Sequence, residues 1–131
     1  MKAVIAHGIK IAEKDIDAAL KAMADWAARH EFRLLEGTSD GASFYALKDV
    51  DGKLGYYLSA GWWARGGRNR KKGFYIEAAI FRWRVCPQRH WRFAVPGETL
   101  TPRDKEFCRH VDQLHALVRL AQEELAEAVR S

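Results

Sequence analysis

The sequence is poor in the residues that cross-link a chain or interrupt its secondary structure. It contains only two cysteines and three prolines in 131 residues. Two cysteines can form at most one disulfide bond, so the composition excludes a secreted scaffold held together by several bridges. We therefore expect Cys86 and Cys108 to be reduced thiols.

The N-terminal part of the sequence also lacks a long hydrophobic run. The apolar stretches of MKAVIAHGIKIAEKD are short and are interrupted by His7, Lys10 and Glu13. This pattern matches neither a secretory signal nor a membrane-spanning segment, which needs roughly 20 consecutive apolar residues. The expectation is a cytoplasmic protein that makes no membrane contact.

Acidic residues are scarce in one third of the chain. Residues 64–109 hold twelve Lys and Arg against four Asp and Glu, a net charge of +8, whereas the remainder carries −3 and the whole chain +5. The basic character is therefore local. It favours a polyanionic partner, such as nucleic acid or a nucleoprotein, or an acidic protein surface.

The overall composition is that of an ordinary folded protein, with 48% apolar and 30% charged residues. Because the length suits one domain, we expect residues 1–131 to form a single α+β domain. The predicted two-layer arrangement has an N-terminal helix, an antiparallel meander of four to five strands and a long C-terminal helix packed on the sheet.

Two segments have the spacing of apolar residues that predicts amphipathic helices. In residues 13–30 these residues recur at alternating steps of four and three. The second helix is predicted to begin at Thr101-Pro102, because Thr101 can cap a helix and Pro102 suits its first position. Asp104 lies where the acid of a capping box belongs. Its apolar seam consists of Phe107, Val111, Leu114, Val118, Ala121, Leu125 and Ala128.

This seam has two interpretations. It packs across the chain's own sheet, or it pairs with a second copy of the chain as a coiled coil, which would make the protein a homodimer. Core packing is favoured for two reasons. A lone sheet needs a helix on one face, and the seam is only as long as the shortest heptad pattern from which a coiled coil is predicted.

The middle of the chain predicts strands. Two short ones are expected in EFRLLEG and TSDGASFYALKD, and Asp51-Gly52 suits a tight hairpin turn between FYALKDV and KLGYYLSAGWW. Residues 74–85 predict a long strand that becomes cationic on one face at Arg82 and Arg84. HWRFAV is expected to form a short last strand that ends at Pro96-Gly97.

The strongest candidate site is the basic loop in AGWWARGGRNRKKGFYIEA. Its cations can neutralise phosphates without reading sequence, and the flanking aromatic rings can stack on bases. The predicted nucleic-acid-binding residues are Trp62, Trp63, Arg65, Arg68, Arg70, Lys71, Lys72 and Tyr75, extended further along the sheet by Arg82, Arg84, Arg89 and Arg92.

Two other interpretations of the loop stay open. The protein could be a protein–protein adaptor or inhibitor, such as a mobile-element inhibitor of a nucleic-acid enzyme, with the sheet face or the C-terminal helix as its interface. Alternatively, the charge only keeps a hairpin tip in solvent, and the tryptophans close the core beneath it.

Catalysis and metal binding have weaker support. The cysteines and histidines of the second half match no zinc-binding spacing, and the sequence has neither a phosphate-binding glycine loop nor a nucleophile elbow. The residues concerned are Cys86, His90, Cys108, His110 and His115. We expect a non-enzymatic module without a cofactor, although Glu77 within an apolar strand would suit a metal-independent nuclease.

Overall fold

The computed structural model describes residues 5–34, 43–63, 73–88 and 91–130. Within these ranges, two α-helices and a six-stranded antiparallel sheet confirm the α+β class. The strands are β1 Ile5–Ile9, β2 Arg33–Leu34, β3 Ser43–Asp49, β4 Leu54–Trp63, β5 Gly73–Val85 and β6 Val95–Thr99. The helices are α1 Ile16–Arg29 and α2 Lys105–Arg130.

Strand β5 is the centre of the sheet. One of its edges pairs with β4 along the whole of that strand, and β3 and β2 follow as a meander. The other edge pairs with β1 in its first half and with β6 in its second half. The predicted meander is thus extended by β1, a strand that the sequence analysis did not identify.

The predicted strand in HWRFAV is wrong. Trp91–Phe93 form a short 3-10 helix, and β6 begins only at Val95. The strand includes Pro96-Gly97, the pair that was expected to end it. A short edge strand with irregular pairing tolerates proline. A Cβ atom on Gly97 would come within 2.7 Å of the Arg82 carbonyl oxygen, so this close approach requires glycine.

The core lies between one face of the sheet and the two helices, and the seam of α2 is buried in it. Leu114 is 1% exposed, and Val118 and Leu125 are completely buried. The core-packing interpretation of the seam is therefore confirmed. Neither α1 nor α2, the helices in the described part of the chain, is long and apolar enough to cross a membrane.

The hairpin between β3 and β4 is confirmed, but its loop spans four residues, 50–53. The N–H of Val50 donates to the Leu54 carbonyl at 2.9 Å, which closes the loop. Within it, only Gly52 has a positive φ, at 82°. The carboxylate of Asp51 accepts the N–H of Leu54 at 2.8 Å, and this bond lowers the pKa of Asp51.

The predicted capping box precedes α2. The N–H of Thr101 donates to Oδ2 of Asp104 at 2.8 Å, and the N–H of Arg103 donates to the Thr101 hydroxyl at 3.3 Å. The bond from the Thr101 N–H is the main reason why the pKa of Asp104 lies below its ordinary value. Regular helix begins at Lys105, so the prediction of Thr101 as the helix cap and Pro102 as the first helical residue is wrong: both precede the helix, and Pro102 lies in a turn.

Replacing Asp104 with alanine is expected to lower the melting temperature at neutral pH. Because the folded-state pKa of Asp104 is depressed, its ionised form stabilises the fold above the ordinary pKa, and this contribution disappears as pH falls through the lowered value. The difference in melting temperature from wild type should therefore shrink below about pH 4. Asp112→Ala, at an exposed position of α2, is the control. A difference that is constant with pH would contradict this role.

Candidate nucleic-acid interface

The sheet has a face opposite to α1 and α2, which we call the open face. It is formed by the strand residues that alternate with those of the core, and the pairing register arranges its positions in transverse rows. In order, the rows are Ser43, Gly61, Tyr75 and Gly8; Tyr45, Ser59, Glu77 and Ala6; Leu47, Tyr57 and Ala79; and Asp49, Gly55, Phe81 and Thr99.

Tryptophans cover one end of the open face. The rings of Phe81 and Trp83 lie across Gly55, with atoms 2.6 and 2.9 Å from the position that a Cβ would take there. Trp83 meets Trp91 edge-on with ring centroids 5.6 Å apart, and its indole N–H donates to Asp49 at 2.9 Å. Phe81 is consequently only 2% exposed although it lies away from the helices.

The next three rows of the open face, counted from the end that the tryptophans cover, carry one tyrosine each. The rings of Tyr45 on β3 and Tyr57 on β4 have centroids 5.8 Å apart and planes inclined by 31°. The ring of Tyr75 on β5 lies against Gly8, where a Cβ would be 3.2 Å away. All three residues are partly exposed, so they present aromatic surface beyond the part that the tryptophans cover.

Ser59 and Glu77 lie among these tyrosines. Ser59 pairs directly with Tyr45 on one side and with Glu77 on the other. Burial raises the pKa of Tyr57, a hydrogen bond with Ser59 opposes this rise, and the charge of Glu77 adds to it. The contribution of Glu77 to the raised pKa of Tyr57 is the smallest of these, after burial, Ser59 and the neighbouring Tyr45.

Most of the predicted basic residues lie outside the described ranges. These are Arg65, Arg68, Arg70, Lys71, Lys72 and Arg89. Of Trp62 and Trp63 the structure describes the backbone, which forms the end of β4. Because Trp63 pairs with Gly73, the two strand ends that flank residues 64–72 in the chain lie beside the row that contains Tyr75.

The other predicted arginines lie at the opposite end of β5. Arg82 is nine residues from the start of this strand, about 30 Å away when extended. Its guanidinium lies 3.5 Å from the carboxylate of Asp104 and 3.6 Å from that of Glu106. Arg84 and Arg92 are exposed near the same end. The structure therefore does not join these arginines to the ends of the loop in one continuous surface.

The cysteines and histidines do not assemble in the described ranges. No group of three or more His, Cys, Asp or Glu residues there is arranged to hold a metal ion. Cys86 and Cys108 are free thiols, and Nδ1 of His110 lies 3.3 Å from the hydroxyl of Tyr56. His90 lies outside the described residues.

Sequence reasoning missed Tyr45, Tyr57 and Ser59 as members of one surface. The signal was the period-two alternation in FYALKD and GYYLSAG, combined with the hairpin that joins them. The observed pairing of Asp49 with Gly55 places Tyr45 opposite Ser59. A two-residue turn would have predicted a different pairing, so the register was the missing information.

Comparisons of the chain with protein families, curated proteins and solved structures found no match. A function must therefore be argued from the open face itself. Its distinguishing features are partly exposed tyrosines, one carboxylate and the adjoining ends of a strongly basic loop.

Proposed function

We propose that the protein is a cytoplasmic, non-enzymatic module that binds single-stranded nucleic acid on the open face. The observation that carries this proposal is that Tyr75, Tyr45 and Tyr57 occupy three successive rows of the open face, and that the row of Tyr75 lies next to the strand ends that residues 64–72 connect. Aromatic side chains on a sheet accept stacked bases, while nearby cations neutralise the phosphates between them.

The loop supplies the electrostatic part of the proposed interaction. Five of its nine residues are Arg or Lys, and none is acidic. Each phosphate contact releases condensed counterions, so affinity should fall linearly with salt on a log–log plot. A single strand is the favoured ligand, because the bases of a duplex are stacked on each other and cannot lie against tyrosine rings.

The observed packing argues against the adaptor that uses the seam of α2. Leu114, Val118 and Leu125 are buried by the chain's own core, so they do not form a surface for a partner. Of the two interfaces predicted for an adaptor, this leaves the open face. Its tyrosines suit protein and nucleic-acid ligands alike, but the basic loop beside them favours a ligand that carries regular negative charge.

Replacing Tyr45 or Tyr57 with alanine is expected to weaken the binding of a fluorescein-labelled oligothymidylate about tenfold. This corresponds to the roughly 1–3 kcal/mol that one stacked base contributes. Phenylalanine at either position should retain the affinity, because it keeps the ring. Fluorescence anisotropy at low salt measures the dissociation constants.

Tyr56→Phe is the matched control for these tyrosine variants. Tyr56 is the neighbour of Tyr57 on β4, but it is 3% exposed on the helix side of the sheet, where its hydroxyl lies 3.3 Å from Nδ1 of His110. This variant should bind like wild type. Unchanged affinity of folded Tyr45→Ala and Tyr57→Ala would contradict the proposed interface.

A further inference from the structure

We draw no further inference here: the strongest candidate, the open cleft between α1 and α2 beside Trp26, is lined by a cluster of the carboxylates of Glu123, Glu124 and Glu127, of which Glu124 is already paired with Arg29 at 2.7 Å, and nothing in the described part of the chain points to a ligand for it.

Discussion

Replacing Arg68, Arg70 and Lys71 together with glutamate is expected to weaken the binding of single-stranded oligonucleotides at least about a hundredfold at low salt. The substitution lowers the net charge by six, from +5 to −1, and removes three of the loop's five cations. The melting temperature should stay close to that of wild type if these side chains contact only the ligand. Anisotropy titrations and thermal unfolding measure the two effects separately.

The salt dependence of the same variant identifies lost phosphate contacts. Each contact with a single strand contributes about 0.7 to the slope of the log–log plot, so the slope should decrease by about 2 when three contacts are lost. A loss of affinity without this change in slope would mean that the three residues do not bind phosphates. In that case the loop would act through its shape or through the position of the flanking strands.

A second triple variant controls for net charge. Arg103, Lys105 and Arg109 are exposed at the start of α2, so their replacement with glutamate gives the same net charge at a different surface. When both variants are titrated at 0.1 M salt, this one should lose much less affinity, because charges more than about 10 Å from the ligand are largely screened there. Equal losses in both variants would show that net charge, and not residues 64–72, governs binding.

The helices could be predicted because their signal is local. Residues 13–30 were predicted as a helix, and α1 occupies Ile16–Arg29 after one short 3-10 turn. The periodic apolar residues and the pair of Thr101 and Asp104 likewise predict α2, and the structure shows the hydrogen bond between these two residues. These features depend on neighbours within one or two turns, which the sequence shows directly.

The edge strands could not be predicted because their pairing is non-local. Ile5–Ile9 contains a glycine and pairs with β5, about seventy residues later in the chain, so nothing near it marks a strand. Strand β6 is held at the other half of β5 despite its Pro and Gly. In both cases β5 provides the missing hydrogen-bond partner, and this contact overrides local propensity.

The candidate site likewise has one feature that the sequence predicts and one that depends on non-local pairing. Its charge was evident from the sequence, since five basic residues fall within the eight positions 65–72. The tyrosine cluster required the register of two strand pairs, because Tyr45 and Glu77 are neighbours only through Ser59. The basic surface of the loop was expected to extend along the sheet to Arg82. In the structure, the guanidinium of Arg82 lies beside the carboxylates of Asp104 and Glu106.

Leu125→Ala is expected to destabilise the fold by about 2–5 kcal/mol, and Leu120→Ala by no more than about 0.5 kcal/mol. The two leucines belong to the same helix, but Leu125 is completely buried in the core and Leu120 is 48% exposed. Truncating Leu125 removes buried apolar surface and leaves a cavity, whereas truncating Leu120 changes a surface that water already reaches. Urea denaturation of both variants gives the difference.

Leu125→Ala and wild type together also distinguish core packing from a coiled-coil dimer. If the chain's own sheet and α1 bury the seam, the melting temperature of wild type should not depend on protein concentration, and Leu125→Ala should keep this behaviour. A dimer held together by the seam would melt at a higher temperature when concentrated, and Leu125→Ala would reduce its mass in solution. Because Val118 and Leu125 are both fully buried within one chain, we expect a monomer transition without concentration dependence.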